Sequence, residues 1–288
     1  MQPTTISGND LLSQTLPDLE IAPLDPGKKF FKVRSSSPTT DAQTPPAVFI
    51  SIPPSELSDC LKDTALTKIL VIVKPSVQVE GSHFLATEGD VERATHLYFL
   101  HAINLIMQQY VSEAYGKSLI VTCSSQVTAK SGRIDVMWTI GDQTILILEI
   151  KRCHVIVMDH WSRAIVPQVD AKITKPDKKV AADGEADILG AKMGSLSISG
   201  LIHNALPLAK QATKYSLTHA GPIVLLFDWQ QLIMLDLKPD AAKASWDDND
   251  NPARIFLSQE GDESSGTCEW THRKVLLAAF VLALKKVM

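Results

Sequence analysis

The chain reads as an α/β protein with a mixed central β-sheet flanked by helices. Three observations predict this. A helical pattern over residues 87–115 runs into three β-rich segments, over 118–128, 132–140 and 144–152. A helix, a strand pair and a closing helix follow over 201–288. Apolar residues make up 45% of the 288, enough to bury a substantial core in one large domain.

Taken in order, residues 1–46 are rich in Pro, Ser, Thr and Asp and lack periodicity. They read as a disordered N-terminal arm ahead of a domain over 47–288. Within the arm, KKFFKVR (28–34) is basic with two aromatics. It suits either a transient surface segment or a docking or nucleic-acid-binding peptide. Pro53-Pro54 followed by SELSDCLKDTAL suggests a short helix, and KILVIV (68–73) a strand. Over 87–115, Val91, Ala94, Leu97, Tyr98, His101, Leu105 and Met107 fall close to one helical stripe. Thr87 is a candidate N-cap with Asp90 three residues on, and Gly116 ends the run.

In the second β-rich segment Ile134, Val136 and Trp138 alternate onto one face, which turns Asp135 to the other. Gly141-Asp142 signals a tight turn. Residues 144–152 are apolar enough to belong at the sheet's centre. Residues 168–200, polar and rich in Lys, Asp and Gly, read as a mobile insertion. Residues 201–218 are helical in pattern, although Pro207 should break or restart the helix. Residues 222–237 form a strand pair around Trp229-Gln230, 239–252 a polar loop, and 270–288 a closing helix.

The formal net charge is −4, so nucleic acid is not attracted to the chain as a whole. Any such contact needs a local basic patch or a bound cation. Lys172, Lys175, Lys178 and Lys179 in the insertion read as a solvated loop that can also grip phosphates. Cys60, Cys123, Cys153 and Cys268 show no Cys-x-x-Cys spacing, which fits reduced thiols in a nuclear or cytoplasmic protein. His154, His160 and Cys153 match no zinc spacing, and the tryptophans read as packing residues. The opening residues lack a secretory pattern, and the longest apolar run, 275–284, is too short to span a bilayer. The expectation is an intracellular protein without a membrane partner; its oligomeric state is open.

The chemistry concentrates in RIDVMWTIGDQTILILEIKR (133–152). Asp135 lies on the first strand. Glu149 and Lys151, two residues apart, project from one face of the second. Charges inside a run as apolar as ILILEI are costly unless paired or bound to a cation. If Asp135 and Glu149 meet, they repel at neutral pH unless a hard cation lies between them, and oxygen ligands of this kind suit Mg²⁺ or Mn²⁺. The expected ligands are Asp135, Glu149 and the main-chain carbonyl of Ile150. Lys151 would orient or activate water and stabilise charge on phosphorus. A plain same-face salt bridge on an edge strand is the structural alternative, but it leaves the apolar surroundings unexplained.

Asp, a turn, then Glu-x-Lys on the next strand resembles the PD-(D/E)XK nuclease superfamily, which implies a restriction-endonuclease-like core. That superfamily adds an acid from the preceding helix. Glu88 is the first choice and Glu92 the substitute, although either also suits the helix dipole as a first-turn acid. Gln211-Ala-Thr-Lys-Tyr215 resembles the Q-x-x-x-Y motif of the RecB-like and lambda-exonuclease-like branch. The likeness places Gln211 beside the metal and Tyr215 on the substrate side. It covers roughly residues 85–237. It departs from the pattern at Gly132-Arg133-Ile134, where a Pro would precede the Asp, and in lacking Gly-x-x-His-x-x-x-Glu. The resemblance implies a Mg²⁺-dependent (or Mn²⁺-dependent) hydrolase of phosphodiester bonds in nucleic acid, DNA before RNA, leaving 5′-phosphates. The alternative is an inactive nuclease-fold module that binds nucleic acid or protein. No nucleophile elbow, Walker-type loop or His-Glu-x-x-His supports another enzyme class.

Overall fold

The central strands are apolar on both sides because both faces of their sheet are covered. In the computed structural model, residues 4–33, 38–46, 48–77, 83–129, 132–166, 200–237, 253–259 and 270–288 are described. The chain begins with β1 (Thr4–Thr5), α1 (Gly8–Ser13), β2 (Glu20–Ile21), α2 (Pro38–Asp41), β3 (Phe49–Ser51), α3 (Pro54–Leu61) and α4 (Thr64–Ile72). Next come β4 (Ser76–Val77), β5 (Phe84–Leu85), α5 (Glu88–Ala94), a π-helical stretch Thr95–Leu100 and α6 (His101–Ala114). The strands β6 (Val121–Ala129), β7 (Gly132–Ile140), β8 (Gln143–Ile150) and β9 (Ile165–Val166) precede α7 (Ala205–His219). The chain closes with β10 (Ile223–Phe227), β11 (Gln231–Asp236), β12 (Arg254–Gln259) and α8 (His272–Val287).

Eight strands form one sheet in the order β6-β7-β8-β10-β11-β12-β3-β9. The β8–β10, β12–β3 and β3–β9 pairs are parallel and the others antiparallel. The predicted mixed sheet flanked by helices is therefore present. Along β10, Ile223, Leu225 and Phe227 join one core with residues of α6 and α8. Val224 and Leu226 join a second with Leu208, Ala209 and Ala212 of α7. Two-sided burial explains why these strands read as continuous apolar runs. Among the described residues no helix is long and apolar enough to cross a membrane.

Four expectations need correction. First, the run 68–73 is not a strand: residues 68–72 end α4, and Val73 is the extended residue that follows it. Asp63 caps that helix by accepting the N–H groups of Ala65 and Leu66 (3.0 and 3.3 Å). A six-residue apolar run carries no decisive period, and the cap decides; Ile69 and Leu70 are buried while Val71 and Ile72 are exposed. Second, the stripe over 87–115 shifts midway. His101 and Leu105 face outward, and Phe99, Ala102, Ile103 and Ile106 are buried instead. The π-helical stretch holds more residues per turn than an α-helix, which rotates everything after it.

Third, the predicted disordered arm carries buried Leu11, Leu12, Leu16 and Leu19, which belong to the core of α6 and α8. Buried Arg273 donates to the carbonyls of Gln14 (2.8 Å) and Thr15 (2.9 Å). Average composition hid four leucines that find partners only in the folded chain. Leu11→Ala is accordingly expected to cost about 2–5 kcal/mol, read as a lower urea midpoint; an unchanged midpoint would mean the segment is not part of the core.

Fourth, Val136 and Trp138 share one core but Ile134 lies in the other. The pairs Ser125↔Val136 and Val127↔Ile134 place Gln126 opposite Asp135, and Gln126 has φ +52°. The Gln126–Asp135 rung is missing from the ladder although the register is the same on either side, and β7 changes the core it faces across that position. Pro207, by contrast, leaves α7 intact: it is the third helical residue, whose N–H would have no intrahelical partner. The expected insertion (168–200, Gly200 apart) and the loop 239–252 lie outside the described residues.

Candidate active site

The hairpin of β7 and β8 brings the acids together. A β-bulge between Trp138 and Thr139 shifts the register by one residue, so that Val136 pairs with Leu148 and the next residues along, Asp135 and Glu149, come close at the end of the ladder. Both are buried at 5% and 3% exposure, which makes the surrounding protein decide their charge. Asp135 Oδ2 accepts the Ile150 N–H (2.8 Å), which ties the carboxylate to the neighbouring strand. Lys151, also buried, turns its Nζ onto Glu149 Oε1, while its N–H donates to the Phe227 carbonyl (2.7 Å) across the parallel β8–β10 pair. The chain here leaves regular strand with its polar groups still held.

Helix α7 completes the cluster. Gln211 Nε2 donates to Glu149 Oε1 (2.6 Å) and to the Tyr215 hydroxyl (2.8 Å). Tyr215 then donates to the Arg133 carbonyl (2.8 Å). Spacing of four residues puts both side chains on one helical face, as expected. Tyr215 is buried and its proton is committed to β7, so it acts as a strut that holds Gln211 against Glu149. Tyr215 also lines the cavity over the two acids, where the motif's substrate-side role would place it.

Glu88 is exposed in the first turn of α5, and it lines the same cavity as Asp135, Glu149 and Lys151. Glu92 is engaged elsewhere: it accepts Gln126 Nε2 (2.9 Å) and lies 3.9 Å from the Arg133 guanidinium. Arg133 also stands 3.7 Å from Asp135. Of the two candidate helix acids, Glu88 therefore has the open position. The Thr87–Asp90 capping box that fixes its turn was legible in the sequence.

Burial, reinforced by the adjacent Glu149 charge, pushes Asp135 up from 3.8 to about 7. Burial also raises Glu149, with Lys151 pulling against it. For Lys151, burial alone would lower the ammonium, but Glu149, Glu88 and Asp135 outweigh it and hold it above its ordinary value. Lys151 thus stays charged. Burial raises the Tyr215 phenol, which keeps the proton it donates. One buried atom of the cluster has no hydrogen-bond partner, Glu149 Oε2. Leaving such an oxygen unsatisfied costs free energy unless something binds it.

Among the described residues, no three His, Cys, Asp or Glu side chains form a ready-made metal cage. The Asp135–Glu149 pair nevertheless fits a hard cation, because it combines mutual repulsion, raised carboxyls and a buried oxygen with nothing on it. The cavity over the pair measures about 820 Å³. Its walls include residues the sequence had not tied to the site: Phe31, Lys32, Val33, Arg152 and Lys214. For Phe31, Lys32 and Val33 the signal was the basic aromatic stretch 28–34, whose position only the fold shows. Lys214 donates to Thr40 Oγ1 (3.1 Å) and is lowered by burial.

No protein-family model, curated protein or solved structure matches the chain.

Proposed function

We propose that the protein is a metal-dependent nuclease with a PD-(D/E)XK core, related to the RecB-like and lambda-exonuclease-like branch. One observation carries the proposal. Asp135, Glu149 and Lys151 meet on the floor of a cavity, and a buried Glu149 oxygen is left without a partner. Asp135 and Glu149 would hold Mg²⁺ or Mn²⁺, with Glu88 and the Ile150 carbonyl as further oxygen donors. When bound, the cation supplies a polarised phosphodiester oxygen and a more acidic water. Lys151 holds positive charge where the phosphorane develops negative charge. Gln211 keeps Glu149 in position, and Tyr215 keeps Gln211 in position. The substrate is nucleic acid, DNA before RNA, and the unpaired state of Cys60, Cys123 and Cys153 suits a nuclear or cytoplasmic setting.

A second reading has one observation in its favour. Lys151 and Gln211 already compensate one Glu149 oxygen, as a purely structural network would. The same cavity would then bind nucleic acid or protein without turnover. Purified protein incubated with single- and double-stranded DNA and RNA, in Mn²⁺ or EDTA, separates the two. The expected result is cleavage in Mn²⁺ alone, leaving 5′-phosphate ends. A folded protein that cuts none of the four would leave the binding module.

A further inference from the structure

The basic segment of the predicted arm ends in the cavity wall. Phe31, Lys32 and Val33 line the cavity together with Arg152. One buried side chain pins their backbone. Asn204 Nδ2 donates to the carbonyls of Phe31 (2.6 Å) and Val155 (2.7 Å), and its Oδ1 accepts the Val33 N–H (3.1 Å). An Asn just ahead of a helix ordinarily accepts an N–H from the second or third helical residue. Here the third is Pro207, which has none to give, and Asn204 makes no capping bond. Its amide is free to hold the segment instead.

Aromatic contacts add to the clamp. The Arg152 guanidinium lies 3.8 Å over the Phe31 ring, and Phe30 packs edge-on against His160 with ring centres 4.7 Å apart. The Phe31 N–H bonds to the His154 carbonyl (3.0 Å). Lys32 itself is exposed. The cavity therefore has acids on its floor and two cations on one wall, Arg152 stacked on Phe31 and Lys32 on a backbone pinned at Phe31 and Val33. A phosphodiester strand reaching Asp135 and Glu149 in a chain of net charge −4 needs such local cations.

We propose that residues 31–33 form a phosphate-binding wall, in which Lys32 and Arg152 receive the phosphates flanking the one cut at Asp135 and Glu149. The inference rests on the nuclease function above. It makes Asn204 a positioning residue that holds the wall on α7, the helix that also carries Gln211. Lys29, exposed and outside the cavity lining, is the control for charge alone.

The test is fluorescence anisotropy of fluorescein-labelled single-stranded and duplex DNA oligonucleotides in EDTA, where no cutting interferes. Lys32→Glu is expected to weaken binding about tenfold and to reduce the slope of log K against log salt by about one. Lys29→Glu, the same change of charge, should shift affinity by less than about twofold. Asn204→Ala should also flatten the salt slope, which a general loss of stability would not do. Equal weakening by Lys29→Glu and Lys32→Glu overturns the wall. A wild type that binds and cleaves while Lys32→Glu matches it removes the wall alone; a wild type that binds and cleaves nothing removes the nuclease function with it.

Discussion

Lys151→Ala is expected to lower the Mn²⁺-dependent cleavage rate by about 10²- to 10³-fold, the usual cost of losing one charge-stabilising donor in an active site. Its ammonium is the cation on Glu149 and keeps its charge among three carboxylates. The same contact predicts a second effect. Removing one partner of a buried pair leaves the other uncompensated, at a cost of about 3–5 kcal/mol. Lys151→Ala should therefore be less stable in EDTA as well as inactive. The double variant Glu149→Gln, Lys151→Met removes both charges, and should recover much of the stability while remaining inactive. Circular dichroism melts beside single-turnover cleavage separate the two effects. Cleavage at the wild-type rate by Lys151→Ala would sink the assignment of Lys151.

Asp135→Asn is the second large effect. Asp135 is raised from 3.8 to about 7 in the folded chain, first by burial and then by Glu149. A carboxyl raised on folding binds its proton more tightly in the native state. Its contribution to stability is full below about pH 4 and is lost as pH climbs through about 7. The shift corresponds to a penalty on the order of 4 kcal/mol at pH 8 without metal. Asp135→Asn should remove that penalty, and so be more stable than wild type at pH 8 in EDTA. A bound divalent cation should offset the penalty too. Mn²⁺ is thus expected to raise the wild-type Tm more at pH 8 than at pH 5.5, where protons compete for the carboxylates. In Asp135→Asn this response and cleavage should both vanish. A wild-type Tm indifferent to Mn²⁺ at pH 8 would remove the metal from the proposal.

Local chemistry made much of the site legible. The turn at Gly141-Asp142, where Gly141 takes a positive φ (+56°), was legible and joins the strands of Asp135 and Glu149; the β-bulge between Trp138 and Thr139, which shifts the register by one residue and so brings the two acids together, was not. Gln211 and Tyr215 needed only helical spacing, and α7 supplies it. Lys151 was recognisable because a charge in an apolar strand demands a partner. The contacts of Gln126 and Asn204, and that of Arg133 with Glu92, were not legible, since each joins elements far apart in the chain.

By itself, the sequence determined the features whose cause lies within a few residues. These are the two-sided apolar strands, the capped start of α5, the tight turn that joins the strands of the two acids, and the helix carrying Gln211. Tertiary structure decided what depends on partners brought from a distance. It gave the helix that Asp63 starts over Thr64–Ile72 a surface to pack on, which buries Leu66, Ile69 and Leu70. It drew Leu11 to Leu19 into the core, because the gain from burial depends on which surface is there to receive them. It also set Lys32 at the rim of the acidic cavity through an Asn 172 positions later, a contact that no local pattern of side chains encodes.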